Sequence, residues 1–280
     1  MATVISVSNQ KGGVGKTTTT CALAAGLKRK GFRVLAIDLD PQGNLGFSMG
    51  ADTETSATIY DALKAEVKLQ YAIQHTPSAD VIISSILLSG IALEFTSTGR
   101  EFLLKRALQP VMKMYDYILL DTPPALGILT INAFTASNTI VVPMLSDIFS
   151  LQGIAQLYET VERVRKYCNP KLEIAGILLT RFDPRKRLSR EVRGTAEMIA
   201  RDLHIRLFDA YIRTGVSVSE AQSLQTNVFD YAPRSSVACD YNRFIDELLV
   251  EEGVETSDED SGERKPAEAR EHAAARNGNP

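Results

Sequence analysis

The chain has 280 residues, 44% hydrophobic and 23% charged, an ordinary globular composition with enough length to bury one large core. No run of about 18 apolar residues is present, which excludes a membrane-spanning helix, and the three cysteines Cys21, Cys168 and Cys239 lie too far apart to suggest a disulfide framework or a cysteine-based metal set. The net charge of −3 is uneven: residues 251–280 carry nine acidic and four basic residues, a net of −5, and residues 1–250 carry +2. The acidic segment is poor in apolar residues and reads as a disordered tail following one folded unit over 1–250. Met1–Val7 enters an apolar run without a basic leader, so a cytoplasmic location is expected.

Nearly continuous apolar runs predict strands buried on both faces at Thr3–Val7, Arg33–Ile37, Val81–Ser85, Tyr117–Leu120, Thr139–Pro143, Ile174–Leu179 and Leu207–Ile212. Helical spacing predicts helices over Thr17–Lys30, Arg100–Met114, Leu151–Tyr167, Arg190–Leu203 and Val237–Val250. Alternation of the two predicts an α/β fold, a doubly wound and mostly parallel sheet with helices on both faces.

Between the first strand and the first helix lies Lys11-Gly12-Gly13-Val14-Gly15-Lys16-Thr17-Thr18. The three glycines let the backbone approach an anion, and successive N–H groups at the start of a helix can cradle phosphates. Lys16 can reach the β- and γ-phosphates of ATP, and the Thr17 hydroxyl can ligate Mg²⁺. The loop departs from the usual GxxxxGK[ST] spacing, since position 10 is Gln10, and it adds Lys11.

Two further strands end in carboxylates. Arg33–Ile37 runs into Asp38 and Asp40, and Tyr117–Leu120 runs into Asp121. An acid at such a strand end can hold a metal's water shell or orient an attacking water; it can equally serve a turn or a helix cap. Later in the chain, Arg181, Arg185, Lys186, Arg187, Arg190 and Arg193 face only Asp183 and Glu191, leaving +4 in thirteen residues. Such a cluster suits the sequence-independent neutralisation of DNA phosphates; it can equally be a solvated loop and helix face.

KGGVGKTT, DLDPQGN and ILLDTPP, in this order and spacing, together with Leu126–Ala133, Gly176–Thr180 and Val218-Ser219-Glu220-Ala221, resemble the ParA (Soj-type) partition proteins of the ParA/MinD deviant Walker class over about residues 2–250. The resemblance implies a slow ATPase with ATP and Mg²⁺ as cofactors, joined by ATP into a sandwich homodimer that binds DNA non-specifically on the nucleoid. A ParB-like partner would stimulate it, and the process served would be plasmid or chromosome segregation. It implies that Lys11 reaches the other subunit's phosphates while Lys16 serves its own. Thr17 would bind Mg²⁺ and Thr18 the α-phosphate. Asp40 would position water, and Asp38 and Asp121 would support the metal's outer shell. Adenine contacts would come from near Thr180 and Arg181 and from the loop at Arg213. Where relatives read Pro-Arg-Asn-Val-Arg, this chain reads Arg213-Thr214-Gly215-Val216-Ser217, so Ser217 replaces a basic residue linked to DNA binding. Positioning of a protein cargo is an alternative reading. A MinD-like membrane role would call for a basic amphipathic C-terminus, and the end of this chain is acidic.

Overall fold

The computed structural model describes residues 1–251. The segment expected as a tail, 251–280, lies outside the described residues except for Glu251, which closes the last helix. Strands are β1 Thr3–Val7, β2 Val34–Asp38, β3 Gln74–His75, β4 Asp80–Ile82, β5 Tyr117–Asp121, β6 Thr139–Leu145, β7 Glu173–Thr180 and β8 Leu207–Ile212. They form one sheet in the order β3-β4-β2-β5-β1-β6-β7-β8. Every neighbouring pair is parallel except the short β3–β4 pair at one edge. The helices are α1 Lys16–Arg29, α2 Asn44–Ser48, α3 Ile59–Leu63, α4 Ile91–Glu94, α5 Leu103–Leu108, α6 Ile128–Ala136, α7 Ile148–Tyr167, α8 Arg187–Asp202, α9 Ser217–Ser223, α10 Val228–Tyr231 and α11 Ser236–Glu251.

Strand side chains alternate between two separate cores. Val4, Leu35, Ile37, Ile118 and Leu120 belong to one, with residues of α3, α5, α6, α7 and α8. Ile5, Ala36 and Leu119 belong to the other, with residues of α1, α10 and α11. This period of two, apolar on both sides, is why the strands read as unbroken hydrophobic runs. On the second face α1 and α11 approach closely. A Cβ built on Gly26 would collide with the Ile245 side chain, so the glycine sets how near the two helices lie.

Three expected elements are corrected. The helix over Arg100–Met114 is a 3-10 turn at Arg100–Phe102 followed by α5, which stops at Leu108, because Pro110 has no N–H to continue the helical hydrogen bonds. The strand over Val81–Ser85 is Asp80–Ile82, and α8 begins at Arg187, three residues earlier than its apolar spacing suggested. At the far edge, β8 departs from regular pairing with β7 between Leu207 and Tyr211. There Glu247 of α11 accepts the backbone N–H groups of Asp209 at 2.9 Å and Ala210 at 2.8 Å, and pairs with Arg206.

Candidate nucleotide-binding site

β1 has β5 on one side and β6 on the other, so strand order runs outward from it in both directions. The crevice beyond the carboxyl ends of such strands is where doubly wound sheets bind ligands, and the loop from β1 to α1 crosses it. Gly13 and Gly15 adopt φ of 72° and 89°, and a Cβ on Gly12 or Gly13 would meet nothing within 4 Å. The backbone is therefore bent for close approach, with open space over it. α1 starts after Gly15 with no side-chain cap and no acid in its first turn. Its first N–H groups and the positive end of its dipole are left facing the place an anion would occupy. Val14 is buried, and its carbonyl accepts the Thr180 hydroxyl at 2.8 Å, which ties the loop to the end of β7.

The two loop lysines face different ways. Lys16 is nearly buried and donates to the Lys11 carbonyl at 3.2 Å. Burial lowers its pKa, and the nearby carboxylates of Asp121 and Asp40 oppose that shift. The Lys11 ammonium is instead held at the start of α7. It contacts both carboxylate oxygens of Asp147, at 2.8 and 2.7 Å, and the Ser150 hydroxyl at 3.3 Å. The Lys11 backbone N–H donates to Asn9 Oδ1 at 3.0 Å, and Asn9 Nδ2 donates to the Pro143 carbonyl at 2.7 Å, fixing the loop against β6.

Beneath the loop stand Asp38 and Asp121, both fully buried. Asp121 accepts the Thr17 hydroxyl at 2.6 Å and the Thr20 hydroxyl at 3.4 Å. Asp38 accepts the backbone N–H of Asp40 at 3.0 Å and of Leu45 at 2.9 Å. Burial pushes the Asp121 carboxyl up to about 7, while the Thr17 hydroxyl and the Lys16 ammonium hold it down in part. Burial, and next the Asp121 charge, drive Asp38 well above the usual carboxylate range. Two buried acids behind a threonine hydroxyl, next to a phosphate cradle, are a donor set that fits Mg²⁺ held by a hydroxyl, phosphate oxygens and water. Asp40 is half-buried, and its carboxylate accepts the Gln42 N–H at 3.1 Å.

Gly13, Gly15, Thr18, Thr180, Arg181 and Arg213 line one cavity of about 460 Å³ beside the loop. The structure thus brings the residues expected around the adenine to the same hollow as the phosphate loop. Arg181 has a positive φ of 51°, rare for a side-chain-bearing residue. Arg213 leans on α11, with Nε 2.8 Å and Nη2 2.7 Å from the Asp240 carboxylate. Gln222 of α9, also in the lining, donates to the Thr18 hydroxyl at 3.3 Å.

Of the basic cluster, Arg181 lines this hollow, whereas Arg185, Lys186, Arg187, Arg190 and Arg193 do not. Arg185, Lys186, Arg187 and Arg190 are exposed on the loop before α8 and its first turn. Arg185 pairs with Asp183 and Arg187 with Glu191, both at exposed positions that solvent screens. Arg193 is half-buried and held by Glu197 at 3.0 Å and Asp209 at 3.6 Å, so its charge is largely spoken for.

Sequence reading overlooked Asp147, Ser150, Asn9 and Gln222. Asp147 carried a signal: it follows a strand and precedes Ser150 by three residues, the spacing of a helix N-cap. Gln222 carried none.

A family model described as an AAA domain matches residues 2–174. The sporulation initiation inhibitor protein Soj of Bacillus subtilis is 41% identical over 239 residues, which cover 84% of this chain and 93% of Soj. The chromosome partitioning protein ParA of Caulobacter vibrioides is 39% identical over 255 residues, 89% of this chain and 94% of that protein. Among solved structures, a cobyrinic acid a,c-diamide synthase from Mycobacterium smegmatis with bound ADP and magnesium superposes with a TM-score of 0.79 at 32% identity, covering 90% of this chain and 96% of that one. The fold and its loop define a P-loop ATPase with a second lysine in the phosphate-binding loop. The chain belongs to the ParA/Soj family of partition ATPases.

Proposed function

We propose that residues 1–250 act as an ATP-driven pairing device for DNA partition. ATP and Mg²⁺ occupy the loop, two chains close face to face over the nucleotides, and the pair binds duplex DNA without reading its sequence. The observation that carries this reading is the split between the lysines. Lys16 is buried against the loop backbone, where it would serve the phosphates of its own chain, while the half-exposed Lys11 ammonium is held on Asp147 and Ser150, away from Lys16. A second, half-exposed cation on a phosphate loop suits a phosphate held by another copy, as an arginine finger does in trans.

The bound nucleotide and metal supply a transferable γ-phosphoryl group with neutralised charge. The chain's residues position it. Gly12, Gly13, Val14 and Gly15 offer backbone N–H groups, Thr17 offers a metal ligand, and Thr18 offers a hydroxyl to the α-phosphate. Asp38 and Asp121 hold the metal's water shell from below, and Asp40, nearer the surface, orients the attacking water. Thr180, Arg181 and Arg213 bound the hollow in which the adenine rests. Phosphoryl transfer depends chiefly on such positioning, so turnover is slow until a ParB-like partner completes the site. Arg185, Lys186, Arg187 and Arg190 of both chains form the DNA surface, which places the pair on the nucleoid.

Light scattering with a non-hydrolysable ATP analogue tests the central claim. The native chain should double in mass and Lys11→Ala should remain single while still binding the analogue. Pairing by Lys11→Ala at the native analogue concentration would refute the role in trans.

A further inference from the structure

The Lys11 ammonium has a built seat in the single chain. Asp147 presents both carboxylate oxygens to it, and Ser150 adds a hydroxyl. Asp147 is itself fixed as the N-cap of α7: it accepts the Ser150 N–H at 2.9 Å and the Ser150 hydroxyl at 3.0 Å. Its orientation is therefore set by the helix and not only by the lysine. The contact joins the β1–α1 loop to the end of the neighbouring strand β6, across 136 residues of sequence. Each side chain retains 34% of its exposure, so the pair is shielded enough to matter and open enough to be broken. Desolvation would raise the Asp147 carboxyl, but the Lys11 ammonium and the Ser150 donors outweigh it and leave the carboxyl below its ordinary value.

We propose that Asp147 is a positioning residue that seats Lys11 in the single chain and thereby sets the threshold for ATP-driven pairing. The proposal rests on the reading that Lys11 serves a second copy. One ammonium cannot hold the Asp147 carboxylate and reach across to another chain's phosphate with the same hydrogen bonds. Leaving the seat is thus a step in pairing, and the competent fraction of chains falls by the strength of the seat. A half-exposed ion pair is worth about fivefold in an equilibrium constant. Two chains must each release one lysine, so the dimer constant carries about 25-fold.

The test is Asp147→Asn, which keeps the N-cap acceptor and removes the charge. Sedimentation with a non-hydrolysable ATP analogue should show a dimer about 25-fold tighter than the native one. In parallel, amine labelling of nucleotide-free protein, read by mass spectrometry, should modify Lys11 severalfold faster in the variant. Unchanged labelling overturns the seat itself. Faster labelling with an unchanged or weaker dimer overturns its role as a threshold. Asp147→Thr, which also caps, repeats both readings should the Asn variant not fold. Normal pairing by Lys11→Ala would instead strike the reading in trans, and the labelling result would show separately whether the seat exists.

Discussion

Asp38 and Asp121 are register partners on adjacent parallel strands, β2 and β5, and both are fully buried. Like charges this close, out of water, oppose ionisation. A cation brought in with the nucleotide, as proposed above, would relieve that repulsion.

A pH dependence follows for the nucleotide-free, magnesium-free protein. The Asp121 carboxyl is raised to about 7 in the fold, from an ordinary value near 3.8. A raised acid binds its proton more tightly folded than unfolded, so its contribution to stability is full below about pH 4 and is lost as pH rises through about 7. Thermal denaturation in EDTA should show stability falling from about pH 5 to pH 7 and levelling above, at no more than about 1.4 kcal/mol per pH unit for this one proton. Asp121→Asn should flatten that slope; the same slope in the variant would assign it to another group.

Lys16→Ala removes the one cation placed inside the loop. Nucleotide affinity by calorimetry should fall about 10²-fold or more, the usual consequence of truncating a buried charged partner. An affinity equal to the native chain's would remove Lys16 from the phosphate site.

Asp40 stands closer to solvent than Asp38 and Asp121 and does not anchor the sheet. Asp40→Ala should therefore keep ATP and Mg²⁺ bound while phosphate release slows about 10²-fold, the order expected when a positioning group is lost. The paired state should accumulate. Turnover at the native rate would transfer the water-orienting role to Asp38 or Asp121.

DNA binding should depend on the patch that leads into α8. Joining two weak phosphate-binding patches in one dimer should raise affinity for unrelated duplex about 10²-fold with ATP. Each contacted phosphate releases counterions, so binding should weaken steeply with salt. Changing Arg185, Lys186, Arg187 and Arg190 to Glu should abolish retention on DNA at low salt and leave pairing intact. Arg193→Glu, taken from a residue already held by Glu197 and Asp209, should matter less. Undiminished retention by the four-residue variant would move the DNA surface elsewhere.

Much of this architecture was legible in the sequence because its signals are local. Buried parallel strands write themselves as apolar runs, and Gly13, Gly15 and Lys16 sit within one short segment. What was not legible depends on distance in sequence. Asp147 meets Lys11 across 136 residues, Gln222 meets Thr18 across 204 and Arg213 meets Asp240 across 27, and no local pattern marks any of the three contacts. The short helices α2, α9 and α10 lack the length for a periodic pattern. In the Arg100–Met114 segment a helical pattern was outweighed by one proline.

The margins of the sheet bear on how this chain can assemble. A strand with unpaired amides at an edge invites a strand from another molecule, and the reversible pairing proposed above would be trapped if two such edges zipped together. β3, at one margin, is two residues long and offers almost no template. At the other margin Glu247 occupies the amides of Asp209 and Ala210 at the irregular stretch of β8. With both margins blunted, contact between copies is steered away from irreversible strand addition, as the proposed nucleotide-controlled pairing of two chains requires.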